Sequence, residues 1–206
     1  MSPGLLLEAP PPRHVGSTKP EPHAHLPGLF LVKDFVSEAE EAALIEWCDS
    51  CVWQPSADNP SSQPPPPPTN RWQLSKWNAS VANRMASLAP HLLERGTWRP
   101  NQANAISYTK AKGHYLGAHC DDRQLSGRIL CNLSLGCDAV MTYTNDKDKE
   151  EKPHRVELPR RSLQFQTGQV RFNYAHGIAS EDLRGERRVS ITFRKEQIAS
   201  KAANKK

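Results

Sequence analysis

The feature that most constrains the fold is a change of hydrophobic pattern at Trp98. From there onward, short stretches alternate between apolar and polar residues and are separated by turn-forming residues, which is typical of β-strands. Many short strands joined by polar turns favour a sandwich or a barrel. The predicted strands cover residues near 104–108, 128–135, 139–143, 155–158, 162–166 and 188–194.

Two helices are predicted before these strands. Ser37 followed by Glu40 forms a capping-box pattern, and apolar residues at helical spacing continue to about Cys51. A second helix is expected over residues 80–94, where Pro90 would kink it. The sequence therefore predicts an α+β chain in which two N-terminal helices cover one sheet.

A chain of 206 residues suits one domain with tails. Residues 1–27 are rich in proline and histidine and have no apolar period, so we expect them to be disordered. The domain is expected over residues 28–196, interrupted by a proline-rich loop at 55–69 that contains five consecutive prolines. Residues 197–206 form a basic tail.

Composition narrows the cellular context. Five cysteines at irregular spacing do not suggest a disulfide framework, so we expect reduced thiols and a location in the cytoplasm, the nucleus or both. No apolar run reaches the roughly 18 residues of a membrane span, and we expect a monomer without membrane contact. The net charge of +5, concentrated in late arginines, favours an acidic or polyanionic partner, or is simply a solvated surface.

Three dispersed residues have the pattern of a metal site. His119 and Asp121 are two positions apart, so on a β-strand their side chains point to the same side. His176 lies in another β-like stretch. Two histidines and one carboxylate, with open positions opposite, form the facial triad of non-haem Fe(II) oxygenases. A His-x-Asp pair alone is common by chance, so the prediction of a metal site depends on the other residues that accompany the pair.

Two arginines near the C-terminus complement this set. Arg188 and Arg194 share one face of a predicted strand, separated by about 20 Å along the backbone. A guanidinium matches a carboxylate bidentately and stays charged, so side chains leaning toward each other would hold a small dicarboxylate. The alternative is an exposed strand face whose arginines point into water.

The order His119-x-Asp121, His176 and Arg188-x5-Arg194 resembles the AlkB family of Fe(II)- and 2-oxoglutarate-dependent dioxygenases, and within it the animal AlkB homologue four subfamily. The resemblance covers most of the chain expected to be ordered. Its other carriers are Tyr108 and residues 125–129, 133–135, 158–163 and 176–178.

The resemblance implies a double-stranded β-helix, or jelly roll. It also implies that His119, Asp121 and His176 bind Fe(II), with 2-oxoglutarate and O2 as co-substrates. The residues expected to bind 2-oxoglutarate are Tyr108, Arg188, Ser190, Arg194 and Asn104. Arg188 would contact the distal carboxylate and Arg194 the carboxylate nearer the iron. Ile106 occupies a position where the family often has asparagine, and Asn104 on the same strand face is its expected substitute.

The implied activity is oxidative N-demethylation. The methyl group would lie on a protein lysine or on N6-methyladenine in nucleic acid, and the proline-rich stretch favours protein while the basic C-terminal half suits either. One alternative is a side-chain hydroxylase that uses the same ligands. Another is a non-catalytic interaction module on the same fold, which would dock partners through residues 64–68 and the basic tail.

Overall fold

The structure is a computed structural model that describes residues 19–53, 69–73, 84–85, 87, 98–123 and 126–195. The strands are β1 (Glu21–Pro22), β2 (Leu29–Val32), β3 (Thr69–Gln73), β4 (Gln102–Thr109), β5 (Leu116–His119), β6 (Leu130–Leu135), β7 (Ala139–Asn145), β8 (His154–Leu158), β9 (Leu163–Gln166), β10 (Tyr174–Ile178) and β11 (Arg187–Arg194). The helices are α1 (Glu38–Ser50) and α2 (Gly168–Asn173), with 3-10 turns at Lys110–Lys112 and Ser180–Asp182.

The strands form two antiparallel sheets. The larger sheet has the order β1-β2-β9-β6-β11-β4-β3, and the smaller has the order β5-β10-β7-β8. From β4 onward the chain crosses from one sheet to the other at every connection except the β7–β8 hairpin, so that β6 and β11 lie in one sheet while β7 and β10 lie in the other. Two stacked antiparallel sheets connected in this way are consistent with a jelly roll, as the resemblance implied.

Helix α1 confirms the first predicted helix. The Glu40 backbone N–H donates to Ser37 Oγ at 3.1 Å, and the Ser37 N–H donates to the Glu40 carboxylate at 2.8 Å, which completes the capping box. Glu41 is buried and accepts hydrogen bonds from the Gly136 N–H at 2.8 Å and from the Arg160 guanidinium. This contact ties the helix to the larger sheet.

The second predicted helix is not confirmed. Arg84, Met85 and Ser87 are helical and Met85 is fully buried, but the rest of residues 80–94 lies outside the described part of the chain. Among the described residues, α1 is the only helix of seven or more residues. Of the proline-rich stretch, only Thr69 is described, and it begins β3 rather than ending a loop.

The larger sheet lies between two hydrophobic cores, because successive side chains of its strands point to opposite faces. Val189, Ile191 and Phe193 of β11 point toward α1 and pack with Leu44 and Cys48. The opposite face of the sheet faces the smaller sheet, where an inner core forms around residues of both sheets, including Leu29, Tyr108, Met141, Tyr143 and Ile178. The polar residues of β11 lie on this inner face.

Ordered structure begins before Gly28, although the domain was expected to begin at that residue. Within residues 19–27, β1 pairs with β2, and Leu26 is fully buried in the inner core. Burial of Leu26 explains why this part of the predicted disordered segment folds. Gly28 has φ +96°, and a Cβ there would lie 2.0 Å from the Thr167 carbonyl oxygen, so the turn requires glycine.

None of the described helices is long and apolar enough to cross a membrane.

Candidate active site

Strands β5 and β10 bring together the three residues predicted to bind metal. His119 and His176 are opposite each other in this antiparallel pair, and Asp121 lies two residues past the end of β5. One ligand atom from each of the three residues lies within 4.8 Å of the others. The Asp121 carboxylate is 3.5 Å from His176 Nε2 and 4.0 Å from His119 Nε2.

Both imidazoles are prepared to act as ligands. His119 Nδ1 lies 2.8 Å from the Gly117 carbonyl oxygen, which only accepts, so Nδ1 carries the hydrogen and Nε2 has its lone pair free. Burial lowers the pKa of His176 to about 4, and the nearby Asp121 carboxylate opposes this shift. His176 is therefore neutral near pH 7, as a metal ligand must be.

Gly177 allows the two strands to approach closely. A Cβ at this position would lie 2.9 Å from the Leu116 carbonyl oxygen and 3.0 Å from the Ala118 nitrogen. Because His176 immediately precedes Gly177, a larger residue here would displace β10 from β5 and separate the two histidines. We therefore expect the spacing of the two histidines to depend on this glycine.

Arg171 of α2 supports the metal-binding turn and was not identified from the sequence. Its side chain is 2% exposed, and its guanidinium donates to the backbone carbonyls of Asp121 at 3.0 Å and Asp122 at 2.6 Å. These bonds fix the turn that presents the Asp121 carboxylate. No sequence signal distinguishes Arg171 from a surface arginine, because α2 is only six residues long.

A cavity between the two sheets joins the metal-binding residues to the predicted co-substrate residues. All eight residues proposed from the sequence line it: Asn104, Tyr108, His119, Asp121, His176, Arg188, Ser190 and Arg194. The triad comes from the end of the smaller sheet, while the others project from β4 and β11 of the larger sheet. The remaining lining includes Asn132 and Thr192, neither of which was predicted from the sequence to be a site residue.

Arg188 is the main positive charge of this cavity. It is 1% exposed, donates to Ser134 Oγ at 2.8 Å and lies 5.5 Å from the centre of the Tyr108 ring. Its Nε is buried without a partner, and within the described part of the chain no carboxylate pairs with its guanidinium. A buried cation without an anion is unfavourable, so this position suits a carboxylate ligand.

The neighbours of Arg188 fit the same ligand. Burial raises the pKa of Tyr108 to about 12, so its phenol stays protonated and is able to donate a hydrogen bond. Asn104 also lines the cavity, and because a carboxylate only accepts hydrogen bonds, the Asn104 Nδ2 is the atom able to donate to one. The residues present are therefore compatible with a dicarboxylate in the cavity.

Arg194 occupies a different environment from Arg188. It is partly exposed, and its guanidinium donates to the Gln102 carboxamide oxygen and to Ser126 Oγ at 3.3 Å. Arg194 lines the cavity but is held by these neighbouring groups. The two arginines predicted as an equivalent pair thus differ, since only Arg188 is fully buried.

The other late arginines are engaged within the protein. Each has a carboxylate partner: Arg155 with Asp182, Arg160 with Glu41, Arg161 with Asp34, Arg184 with Glu157 and Arg187 with Asp49. The basic composition of the C-terminal half is therefore less available to a polyanionic partner than its charge suggests.

Several known proteins are similar to this chain. A protein of Caenorhabditis elegans named DNA N6-methyl adenine demethylase is 27% identical over 176 residues, which cover 81% of this chain and 59% of that protein. Alpha-ketoglutarate-dependent dioxygenase alkB homolog 4 of Homo sapiens is 28% identical over 206 residues, covering 82% of this chain and 67% of that protein. This chain thus spans about 59% to 67% of the length of these relatives.

Solved structures share the fold. The structure of OsALKBH1 has a TM-score of 0.65 at 15% identity and covers 82% of this chain and 98% of that one. A Pseudomonas putida prolyl-4-hydroxylase has a TM-score of 0.60 at 14% identity, covering 82% and 93% of the two chains.

The profile of the family described as the 2OG-Fe(II) oxygenase superfamily matches residues 28–194, which is most of the chain. This family name specifies the cofactors, Fe(II) and 2-oxoglutarate, with O2 as the oxidant. The clustered His119, Asp121 and His176 have the donor set that such an iron requires. The resemblance inferred from the sequence is confirmed: the chain belongs to the 2OG-Fe(II) oxygenase superfamily and is of the AlkB type.

Proposed function

We propose that this chain is a dioxygenase that removes N-methyl groups by oxidation, with N6-methyladenine in nucleic acid as its substrate. The observation that supports this most is the meeting, in one cavity, of a two-histidine, one-carboxylate cluster and a buried guanidinium without a carboxylate partner among the described residues. A binding module would have no use for this combination, because unpaired buried charge lowers stability.

Three residues would hold the iron. His119 and His176 would each donate an Nε2 lone pair, and Asp121 one carboxylate oxygen, which leaves the remaining coordination positions open for co-substrates. Arg171 would keep the Asp121 turn in place during turnover. Bound Fe(II), together with 2-oxoglutarate and O2, supplies the oxidising chemistry.

A second group of residues would bind 2-oxoglutarate. Arg188, Tyr108 and Ser190 would hold the distal carboxylate inside the cavity, where Coulombic attraction is little screened by water. Arg194 and Asn104 would contact the part of the co-substrate nearer the iron. The two facing sheets would exclude bulk water from the reacting methyl group.

The overall reaction balances without another reactant. One N-methyl group, one 2-oxoglutarate and one O2 give the demethylated nitrogen, formaldehyde, succinate and CO2. The contribution of the protein is to position the methyl group beside the open coordination positions.

The choice of N6-methyladenine rests on the name of the Caenorhabditis elegans relative. Methylated lysine is the competing substrate, and it was favoured by the proline-rich stretch, which lies largely outside the described residues. Internal pairing of the late arginines reduces the electrostatic argument for nucleic acid without opposing it.

A single assay separates the candidates. The iron-loaded protein, supplied with 2-oxoglutarate and O2, is incubated in parallel with an oligonucleotide containing N6-methyladenine and with a trimethyl-lysine peptide. Mass spectrometry then measures loss of the methyl group, and a coupled assay measures formaldehyde and succinate. We expect demethylated adenine together with stoichiometric formaldehyde, and neither product from the His176→Ala variant.

Three results would contradict the proposal. Demethylation of the peptide alone would identify methylated lysine, and not N6-methyladenine, as the substrate. A mass gain of one oxygen without formaldehyde would indicate a side-chain hydroxylase. Absence of a visible absorption band on anaerobic addition of 2-oxoglutarate to the folded, iron-loaded protein would leave the non-catalytic module as the better description.

A further inference from the structure

Asn132 lies at the centre of the polar wall of the cavity. It is on β6, directly opposite Thr192 of β11, and it is 9% exposed. Its carboxamide is within 2.8 Å of Ser190 Oγ and of Thr192 Oγ1, and 3.4 Å from a terminal nitrogen of Arg188. One side chain thus contacts the buried guanidinium and two hydroxyl groups.

The contact with Arg188 determines the orientation of this carboxamide. A guanidinium has only donors, so the atom of Asn132 that faces it must be the acceptor Oδ1. A rotation of the amide by 180° would place two donor groups against each other at 3.4 Å. Nδ2 therefore points toward Ser190 and Thr192, and both of its hydrogens are used by the two hydroxyl oxygens.

This orientation determines whether the hydroxyl groups of Ser190 and Thr192 act as hydrogen-bond donors or acceptors toward the cavity. Ser190 and Thr192 accept from Asn132, so each has its own O–H hydrogen left to donate elsewhere. Within the described residues, neither hydroxyl donates a hydrogen bond to another protein group, and both side chains line the cavity. The wall consequently presents two O–H donors beside the Arg188 guanidinium.

We propose that Asn132 is the positioning residue that gives this wall its donor character and so makes the cavity selective for a carboxylate, and that Thr192 is one of the groups that bind it. This inference rests on the proposed function, because the carboxylate is that of 2-oxoglutarate. Asn132 acts through Ser190, Thr192 and Arg188, whose hydrogen-bonding groups it orients.

The Asn132→Asp variant would change the hydrogen-bonding character of the wall from donor to acceptor, with almost no change in the shape of the side chain. A carboxylate only accepts, so it would pair with Arg188 and take the O–H hydrogens of Ser190 and Thr192. The cavity would then contain its own anion. We expect affinity for 2-oxoglutarate and for its unreactive analogue N-oxalylglycine to fall about 10- to 100-fold, the range expected for lost hydrogen bonds to a charged group.

The measurement is calorimetric titration of N-oxalylglycine into the Mn²⁺-loaded protein, which requires no turnover. Mn²⁺ affinity itself should be unchanged, and steady-state kinetics should show a higher KM for 2-oxoglutarate with a smaller change in kcat. Asn101→Asp is the matched control, because it introduces the same charge at an exposed position just before β4 and should bind N-oxalylglycine as the wild type does.

A second pair of variants tests the same wall without a new charge. Thr192→Val keeps the shape of the side chain but removes its O–H donor, and we expect affinity for N-oxalylglycine to fall about tenfold. Thr192→Ser keeps the donor and should restore most of the affinity. If Asn132→Asp does not fold, as judged by thermal denaturation, this pair decides the question.

The outcomes separate the two claims. A wild-type protein that binds Mn²⁺ but neither 2-oxoglutarate nor N-oxalylglycine overturns the proposed function, and this inference with it. A wild type that binds the analogue while Asn132→Asp and Thr192→Val bind it equally well overturns the inference alone. Reduced Mn²⁺ affinity in Asn132→Asp, with unchanged analogue affinity at saturating metal, also overturns it.

Discussion

His119 and His176 are direct cross-strand partners on β5 and β10, with their ring centroids 4.7 Å apart. Residues far apart in the sequence thus meet through a single strand pairing. Asp121, two residues past the end of β5, completes the cluster, and Arg171 holds the backbone of that turn. The metal site depends on the register of this strand pair as much as on its ligands.

Replacing His176 with alanine should abolish tight metal binding while leaving the fold intact. Loss of a direct ligand is expected to exceed the about 10- to 100-fold loss typical of residues that only support ligands. Calorimetry with Mn²⁺ measures the affinity, and circular dichroism reports the fold. His154→Ala is the matched control, since His154 pairs with Glu151 away from the triad and should leave the affinity unchanged. Equal affinities in the two variants would contradict the assignment.

Replacing Arg171 with methionine should weaken both stability and metal affinity. The variant leaves the carbonyls of Asp121 and Asp122 without their buried donors, at a cost of about 1–3 kcal/mol for each unsatisfied group. Mn²⁺ affinity should fall about 10- to 100-fold. Urea denaturation and metal calorimetry measure the two effects separately. A loss of stability with unchanged Mn²⁺ affinity would show that Arg171 supports the fold without positioning Asp121.

Replacing Gly177 with alanine should separate β5 from β10. The added Cβ would lie 2.9 Å from the Leu116 carbonyl oxygen, so the strands must shift, at a cost of about 1–3 kcal/mol. Because His176 and His119 lie on these strands, Mn²⁺ affinity should fall along with the thermal midpoint. Binding as tight as that of the wild type would mean that the strand pair absorbs the methyl group without moving the histidines.

The ion pair between Asp49 of α1 and Arg187 of β11 should produce a pH-dependent contribution to stability. The Asp49 carboxylate accepts hydrogen bonds from Arg187 at 2.6 and 2.8 Å, and these bonds lower its pKa below the usual value of 3.8. A carboxyl group with a lowered pKa in the folded state stabilises the fold above 3.8, and this contribution is lost as the pH falls through the lowered pKa.

The Arg187→Ala variant tests this contribution. Both side chains are more than a third exposed, so the loss in the free energy of unfolding at pH 7 should be less than about 1 kcal/mol. Urea denaturation at pH 7 and near pH 3 should show the difference between variant and wild type shrinking at the lower pH. A difference that is independent of pH would assign the effect of Arg187 to packing.

Individual helices and strands could be predicted because they depend on patterns of residues that are neighbours in the sequence. The capping box of Ser37 and Glu40 predicted the start of α1, and alternation along residues 188–194 predicted which side chains of β11 share a face. Boundaries that depend on distant contacts were missed. Leu26 is buried by residues that follow it at a distance in the chain, so nothing near it in the sequence indicated that order begins before Gly28.

The candidate site likewise contains some residues that the sequence predicted and others that it did not. The order of His119, Asp121 and His176, taken together with the Arg188-x5-Arg194 pair, predicted a metal site, and the clustering of the three ligands agrees with that prediction. Asn132 and Arg171 were missed because asparagine in a strand and arginine in a short helix are common on protein surfaces. Only their burial and their partners mark them as part of the site.

The sequence by itself determined the chemical groups and, within each strand, the side on which they project, because side-chain alternation is a property of the backbone. It did not determine which side is covered. Read alone, the polar face of β11 is as compatible with water as with an enclosed cavity. Stacking of the second sheet buried Arg188, and pairing of β5 with β10 placed the histidines together. Both depend on contacts between distant segments, which the tertiary structure alone provides.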